Sequence, residues 1–355
     1  MRAILLNPGP VSLSEGVRKA AVKVDLCHRE PEFFKLQQRL RERLLEVYQC
    51  DAEEWAAVLL GGSGTTALEA MLSSMLPREA RLLVIENGVY GERISRIAEI
   101  HGISMEAVRH EWMDAIDFER VEAALAAGTF THVAAVQHET TTGRLNDISR
   151  LAGLCERYEA DLLLDAVSSF GAEAIPFESP ALAACAVTAN KCLHGIPGLC
   201  FVVGRRSALS HSAEPPRSLY MHLPLWLEKQ DQDSTPFTPS VNGMLALSKA
   251  LQELKKQGGW EARHARYSHL AGQVTRALSK YGVEAMLEPG ASSCALNAYR
   301  IPGGMSYDQI HDHLKQWGFV IYAGQGGLEA EMFRISTMGD ITPVSYTHLT
   351  LPTIC

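Results

Sequence analysis

One stretch of the chain constrains the fold more than any other. The apolar run 162–164 leads directly into Asp165, and the apolar run 183–187 ends shortly before Lys191. Two such runs joined by a short crossover are typical of neighbouring strands in a buried parallel sheet, whose carboxyl ends bear ligand-binding residues. The sequence therefore predicts that an acid and a lysine lie at the same edge of one sheet.

This pair of residues indicates a particular cofactor chemistry. A lysine can form a Schiff base with an aldehyde, and a carboxylate can partner the nitrogen of a pyridine ring. Pyridoxal 5'-phosphate (PLP) requires both groups. A lone lysine at a strand end is usually only solvated, so the prediction depends on Lys191 and Asp165 together.

A glycine-rich turn predicts where a phosphate binds. The apolar run 56–60 is followed by the turn 61–66 and then by a helical pattern over 67–75. Backbone N–H groups converge at such a helix start, where the helix dipole is positive. No lysine follows the final glycine, so the turn is not a Walker A loop. Taken alone, such a turn is often only a tight connection, and the nearby lysine candidate favours the phosphate site.

Three further features each leave two interpretations open. Tyr90, after the strand pattern 81–85, can cover a planar cofactor or be a half-buried core residue. The hydroxyls of 140–142, after the strand pattern 131–136, can bind a ring substituent or form a capped turn. Arg334, between apolar neighbours in the last predicted strand, can bind an anionic substrate group or be an edge residue whose head reaches water.

Composition and charge exclude several classes of function. The chain has 355 residues, of which 46% are apolar and 21% charged, with a formal net charge of -8 and interspersed signs. This predicts a globular protein without a nucleic-acid-binding stripe or a membrane-binding patch, and no run approaches the roughly 20 apolar residues of a membrane helix. The eight cysteines form no CxxC pair, so we expect no metal site, no disulfide framework and a cytoplasmic location.

The order of the patterns divides the chain. Strand and helix patterns alternate over 1–242, which predicts a large α/β domain with a mostly parallel sheet flanked by helices. Strand, helix and strand follow in 243–343, which predicts a smaller C-terminal α+β domain. Residues 207–233 contain several prolines and are predicted to be a long irregular excursion. The end, 344–355, fits neither period and is interpreted as an atypical tail.

Taken together, these motifs resemble the class V branch of the fold-type I PLP aminotransferases. The motifs that carry the resemblance are LLNPGP (5–10), GSGT (62–65), NGVYG (87–91), HETTTG (138–143), DAVSSFG (165–171), ANK (189–191), GIPG (195–198) and FRI (333–335). Three stretches differ from the family pattern: Pro236, 321–325, and the tail from 344, which stands where the family has a closing helix. The resemblance implies a fold-type I PLP-transferase large domain and a small C-terminal domain.

The resemblance also implies roles for individual residues. Lys191 would bind PLP covalently, Asp165 would contact the ring nitrogen, Tyr90 would stack on the ring, and Arg334 would bind the substrate's anionic group. The other cofactor-binding residues that it implies are Ser63, Gly64 and Thr65 at the phosphate, Thr238 reaching the phosphate from the neighbouring subunit, and Thr140 and Ser168 near the ring substituents.

The implied activity is the transamination of 2-aminoethylphosphonate with pyruvate, which gives phosphonoacetaldehyde and alanine. The implied assembly is a homodimer with active sites at the subunit interface. An alternative is transamination of the alanine–glyoxylate or serine–pyruvate type, because Arg334 would bind a carboxylate as well as a phosphonate. A catalytically idle binding protein of the same fold is the third interpretation.

Overall fold

The computed structural model describes residues 3–211 and 214–341. The predicted tail, 344–355, lies outside the described residues. None of the described helices combines the length and the apolar character needed to cross a lipid bilayer.

Strands and helices alternate through most of the described chain. The strands are β1 (Ile4–Leu5), β2 (Trp55–Gly61), β3 (Arg81–Glu86), β4 (Ser104–Arg109), β5 (His132–Val136), β6 (His138–Glu139), β7 (Arg144–Leu145), β8 (Asp161–Asp165), β9 (Leu182–Thr188), β10 (Leu199–Arg205), β11 (Leu296–Arg300), β12 (Phe319–Val320), β13 (Tyr322–Ala323) and β14 (Met332–Ser336). The helices are α1 (Glu15–Ala21), α2 (Pro31–Glu46), α3 (Gly64–Met75), α4 (Val89–Ile100), α5 (Phe118–Ala127), α6 (Ile148–Arg157), α7 (Arg206–Leu209), α8 (Leu223–Asp231), α9 (Val241–Lys256), α10 (Gly259–Ser279) and α11 (Tyr307–Gln316).

The large sheet has seven strands in the order β2-β10-β9-β8-β5-β3-β4. Only β10 is antiparallel to its neighbours, and the pairs from β9 to β4 are parallel. The carboxyl ends of β2, β3, β5, β8 and β9 therefore lie at one edge of the sheet. This confirms the predicted α/β fold with a mostly parallel sheet, and it brings the motifs that follow these strands together.

The strands of this sheet carry apolar side chains on both faces, and helices cover both faces and bury them. Leu59 packs into the apolar cluster beneath α2, α5, α6 and α9, whereas its neighbour Leu60 packs beneath α3, α4 and α8. Each large side chain buried in this way contributes roughly 1.5–3 kcal/mol to stability. The buried faces hold the strand ends, and hence the site, in a fixed arrangement.

A smaller sheet lies in the C-terminal part of the chain. It has the antiparallel order β11-β14-β13, and its apolar cluster includes side chains of α10 and α11. Two contacts cross the predicted division at residue 242. The N-terminal strand β1 pairs in parallel with β12, and α9 packs on the large sheet. The predicted domain boundaries stay predictions.

The prediction of an irregular excursion over 207–233 is wrong in part. Helix α8 occupies Leu223–Asp231, and its Trp226 is fully buried. Pro224 lies in the first turn of this helix, where a backbone N–H would have no intrahelical partner and proline is favoured. The proline was thus a helix-start signal rather than a helix breaker.

Candidate active site

The carboxyl edge of the large sheet brings most of the predicted site residues together. Asp165 is the last residue of β8, Lys191 follows β9, Ser63 precedes α3, Gly64 and Thr65 begin α3, Tyr90 is the second residue of α4, Thr140 lies in the turn between β6 and β7, Ser168 follows β8, and Arg334 is the middle residue of β14. Thr238 lies apart from them, in the loop before α9.

Asp165 is a buried carboxylate at the centre of this edge. Its Oδ1 accepts a hydrogen bond of 2.9 Å from the Val167 N–H. Burial raises the pKa of Asp165 to about 6, although this hydrogen bond and the charges of Arg93 and Lys191 oppose the rise. The group is therefore mostly ionised above neutral pH, and it can hold a proton on a neighbouring base.

Lys191 lies in the same site, and its amine is easily deprotonated. Burial lowers the pKa of Lys191 to about 8; the charges of Arg334 and Arg93 act in the same direction, while Asp165 opposes them. Lys191 and Asp165 thus influence each other's pKa. The N-terminal turn closes over the lysine, because a Cβ on Gly9 (φ +117°) would lie 2.8 Å from Lys191 Cδ.

The glycine-rich turn has the predicted geometry at the start of α3. Gly62 has a φ of +146°, and a Cβ there would lie 2.3 Å from Oγ1 of Thr66, so glycine is required. The Ser63 N–H donates to that same Thr66 hydroxyl, at 3.2 Å. A Cβ on Gly64 would lie 2.7 Å from a methyl group of Val167, so the absence of a side chain brings the helix start against the segment after Asp165.

The start of α4, which carries Tyr90, is held by a residue that the sequence analysis did not select. Oε2 of the fully buried Glu139 accepts hydrogen bonds from the N–H groups of Tyr90 (3.1 Å) and Gly91 (3.3 Å). Its Oε1 accepts from the N–H and the hydroxyl of Thr141. Burial raises the pKa of Glu139 to about 7. An acid inside the HETTTG motif was the available signal, but a short motif does not show which backbone it binds.

Arg93 is the second site residue that the sequence analysis did not select. It lies one helical turn after Tyr90, and its guanidinium carbon is 4.6 Å from the centroid of the Tyr90 ring. Its Nη1 donates to Oγ1 of Thr65 at 3.2 Å. The helical spacing from Tyr90 was a possible signal, since residues three apart share a helix face.

Ser168 and His138 bind each other behind the site. The Ser168 hydroxyl donates to the His138 carbonyl at 2.9 Å, and Nδ1 of His138 lies 3.3 Å from the Ser168 carbonyl. Burial lowers the pKa of His138 to about 4, so the imidazole is neutral and Nδ1 carries the donated proton. The side-chain proton of Ser168 is thus already used, although its oxygen can still accept a hydrogen bond.

Arg334 is anchored on two sides of its guanidinium. Nε donates to the Ala323 carbonyl (2.8 Å), and Nη1 donates to the Thr140 carbonyl (2.7 Å) and to Oε1 of Gln325 (3.3 Å). In 3–211 and 214–341, no hydrogen bond is recorded for Nη2, which leaves this group for a ligand. Arg334 is buried on the central strand of its sheet, so the edge-residue interpretation is wrong. The departure at 321–325 supplies an acceptor, Gln325, that supports the arginine.

Thr238 and Cys192 complete the description. Thr238 is exposed within its own chain, but its neighbour Phe237 packs 5.3 Å from Tyr220, whose hydroxyl donates to the carbonyl of Gly61. The loop thus contacts the glycine-rich turn of its own chain through an aromatic ring.

Burial raises the pKa of the Cys192 thiol to about 12, so this cysteine beside the lysine is protonated and unreactive at neutral pH.

This geometry is accompanied by similarity to known proteins. The sequence profile of the aminotransferase class-V family matches residues 17–334. The chain belongs to the class-V aminotransferases. It is 36% identical, over 96% of its length and 92% of the relative's, to a 2-aminoethylphosphonate–pyruvate transaminase of Syntrophobacter fumaroxidans. It is 32% identical to one of Phocaeicola vulgatus, over 98% and 96% of the two chains.

A solved structure shows that this class-V aminotransferase has the fold-type I architecture. The subgroup IV aspartate aminotransferase of Thermus thermophilus superposes with a TM-score of 0.88 at 28% identity, covering 98% of this chain and 97% of that one. The predicted fold-type I fold is therefore confirmed.

The residues at the carboxyl edge fit PLP. The cofactor has an aldehyde, a pyridine nitrogen and a phosphate. The site offers an amine of lowered pKa, a carboxylate and a helix start whose Gly64 and Thr65 N–H groups have no partner among the described residues. Gly62 and Gly64 have no side chains, so the space at the helix start is not filled by the protein. The donor set and the shape of the turn both suit the group.

Proposed function

We propose that the protein is a PLP-dependent aminotransferase that converts 2-aminoethylphosphonate and pyruvate into phosphonoacetaldehyde and alanine. One observation carries the chemistry: in a chain of this family, Lys191 and Asp165 lie in one site, where each shifts the pKa of the other. The substrate pair is supported by curated relatives of that activity, which are 32–36% identical over nearly the whole chain.

Each of the two central residues has a defined task. When bound, PLP supplies an aldehyde that condenses with amines and a ring that accepts the electrons of a broken C–H bond. The Asp165 carboxylate would keep a proton on the pyridine nitrogen, which makes the ring a better acceptor. Lys191 would hold the cofactor when no substrate is present. When the amino donor takes its place, the neutral Nζ of Lys191 would accept the proton from the substrate carbon and donate it again during the transfer.

Arg334 binds the anionic group of the substrate. Its Nε and Nη1 are held by Ala323, Thr140 and Gln325, so the guanidinium is pre-organised and loses little rotational freedom when a ligand binds. The nitrogen balance of the reaction is simple. The amino group leaves 2-aminoethylphosphonate as its carbon becomes an aldehyde, and it appears on the former keto carbon of pyruvate.

The assembly and location complete the proposal. The protein is a homodimer in which the exposed Thr238 of one subunit reaches the phosphate in the other, and it acts in the cytoplasm. The exposure of Thr238 within its own chain supports the first part. The cytoplasmic location rests on the scattered cysteines and stays a prediction.

A substrate panel tests the proposal. The PLP-loaded protein is assayed for keto-acid-dependent loss of each donor with three pairs: 2-aminoethylphosphonate and pyruvate, alanine and glyoxylate, and serine and pyruvate. We expect kcat/KM for the first donor to exceed the others by about tenfold or more, the value of one or two well-placed polar contacts. A higher value for either other pair would assign the alternative substrates, and no turnover with any pair would favour the idle protein.

The role of Arg334 has a matched control on the neighbouring strand. Arg334→Gln should lower kcat/KM for 2-aminoethylphosphonate about 10- to 100-fold, because a charge-assisted hydrogen bond is lost. Arg300→Gln changes an exposed arginine of β11 and should leave kcat/KM within about twofold of the wild type. Equal effects of the two substitutions would remove Arg334 from the substrate site.

A further inference from the structure

Arg93 lies between the parts of the site that would hold the ring and the phosphate of the cofactor. Its guanidinium carbon is 4.6 Å from the Tyr90 ring centroid, a distance at which a cation is attracted to an aromatic face. Its Nη1 is 3.2 Å from Oγ1 of Thr65, in the first turn of α3. One side chain therefore contacts both the proposed stacking residue and the proposed phosphate turn.

The hydrogen bond from Arg93 makes the Thr65 hydroxyl an acceptor, and its proton points elsewhere. A guanidinium has donors only, so Oγ1 of Thr65 must be the acceptor. The hydroxyl proton is then left for another acceptor, and no second bond of this side chain is recorded within the described residues. In the same first turn, the N–H groups of Gly64 and Thr65 have no hydrogen-bond partner among the described residues, whereas that of Thr66 donates to the Ser63 carbonyl. An anion at this turn would receive donors of both kinds.

Among the described residues Arg93 has no salt-bridge partner, although it lies close enough to Asp165 for its charge to lower the pKa of that acid. Across the described ranges, no carboxylate oxygen lies within salt-bridge distance of this half-buried guanidinium, whereas Arg96 on the same helix pairs with Glu99 at 3.0 Å. The adjacent acid, Glu92, instead accepts from the Trp112 indole. A partly buried cation without a counter-charge in direct contact is costly, and a bound phosphate dianion would supply one.

We propose that Arg93 positions the phosphate of the cofactor, by presenting the Thr65 hydroxyl as a donor and by placing a positive charge beside the phosphate turn. The inference rests on the proposed function, since it takes PLP as the occupant of the site. Arg93 acts through Thr65 and through its charge, and its contact with Tyr90 ties the phosphate turn to the ring-binding side. The phosphonate of the substrate has the same tetrahedral anionic chemistry, and the experiment separates the two.

The experiment compares two ligands that differ only in the phosphate. Apoprotein of the wild type, Arg93→Gln, Arg93→Lys and the control Arg96→Gln is titrated with PLP and with pyridoxal, and Kd is measured from the absorbance change. Arg93→Gln should weaken PLP binding about 10- to 100-fold, as expected for a lost charge-assisted interaction, and should change pyridoxal binding less than about threefold. Arg93→Lys keeps the charge, so its Kd for PLP should lie between those of the wild type and Arg93→Gln. The Kd of Arg96→Gln should match that of the wild type.

A double-mutant cycle tests the route through Thr65. If Arg93 acts on the hydroxyl, the PLP affinity of Arg93→Gln combined with Thr65→Val should fall by clearly less than the product of the two single effects. Thermal melting of each apoprotein shows which variants are folded, and Arg93→Lys carries the test if Arg93→Gln does not fold.

The outcomes distinguish this inference from the proposed function. Two results would overturn the role of Arg93 at the cofactor phosphate while leaving the aminotransferase intact. One is equal weakening of PLP and pyridoxal binding. The other is an unchanged Kd for PLP together with a higher KM for 2-aminoethylphosphonate when the PLP-loaded variants are assayed with pyruvate. A wild-type protein that binds neither ligand would instead overturn the proposed function itself.

Discussion

At the scale of single residues, the proposed chemistry depends on two groups whose pKa values are moved towards each other. Burial raises that of Asp165 to about 6 and lowers that of Lys191 to about 8. Between these values the acid is mostly ionised, while a useful fraction of the amine is neutral. Each side of the cofactor therefore meets the protonation state that it needs near neutral pH.

The lowered pKa of Lys191 predicts how cofactor binding depends on pH. Only the neutral amine attacks an aldehyde, and a lowered pKa makes that form available at lower pH. The rate of PLP uptake by the apoprotein, followed by absorbance in a stopped-flow instrument, should rise about tenfold per pH unit below 8 and level off above it. Arg334→Gln removes a cation that lowers the pKa, so it should move the midpoint to higher pH. A midpoint near that of an ordinary lysine would contradict the assignment.

Sequence reasoning at this scale reached the residues that end strands and missed those that act through the backbone of another element. Asp165 and Lys191 stand out because each follows an apolar run. Glu139 binds a helix start that lies about 50 residues earlier in the chain. Arg93 binds a hydroxyl that lies 28 residues earlier. A local pattern does not contain such partners.

At the scale of elements, the first turn of α4 is a rigid unit built on Glu139. The carboxylate receives the first N–H groups of the helix, which otherwise lack partners, and it also holds the turn that contains Thr141. Gly88, just before the helix, leaves room for it, because a Cβ there would lie 2.2 Å from Cδ of Glu139. The position of Tyr90 thus depends on a glycine and an acid in different motifs.

Gly88→Ala tests this unit directly. The φ of Gly88 is 170°, which any residue adopts, so the cost of the substitution is steric. We expect a loss of about 1–3 kcal/mol in the free energy of unfolding, measured with urea on the apoprotein, together with weaker PLP binding. Gly153→Ala in α6, where a Cβ meets open space, is the control and should be neutral or stabilising. Indistinguishable results for the two variants would show that the acid does not fix the helix start.

Element type was predictable where periodicity was strong, and less so at prolines. The buried strands of the large sheet read as continuous apolar runs, as parallel strands do. The prolines of 207–233 predict an irregular excursion, whereas Pro224 lies in the first turn of α8, where proline is favoured. The helical pattern over 67–75 begins three residues after the start of α3, since glycine and threonine have low helix propensity.

At the scale of the whole molecule, the N-terminal segment joins the C-terminal part of the chain to the site. Strand β1 pairs with β12, and a few residues later Gly9 contacts Lys191. The change in strand order predicts a division into a large and a small domain, and this division stays a prediction. The pairing of residues 4–5 with 319–320 could not be predicted, because no local signal links segments so far apart in sequence.

A shared active site predicts complementation between two defective variants. Lys191→Ala removes the amine of one site, and Thr238→Val removes the hydroxyl that the other subunit would supply. In a mixed dimer one site carries both defects and the other carries neither, so random mixing should restore about a quarter of wild-type sites. Activity and PLP affinity are measured after the two proteins are unfolded and refolded together. Activity no higher than the average of the two separate variants would contradict the shared site.

The most direct test of the central claim follows the nitrogen atom itself. The PLP-loaded protein is incubated with ¹⁵N-labelled 2-aminoethylphosphonate and unlabelled pyruvate, and alanine is analysed by mass spectrometry, with Lys191→Ala as the control. The account predicts ¹⁵N-alanine in equal amount to phosphonoacetaldehyde with the wild type, and a loss of about a thousandfold or more in rate with the variant. Unlabelled alanine, no alanine, or an unchanged rate without the Lys191 amine would contradict it.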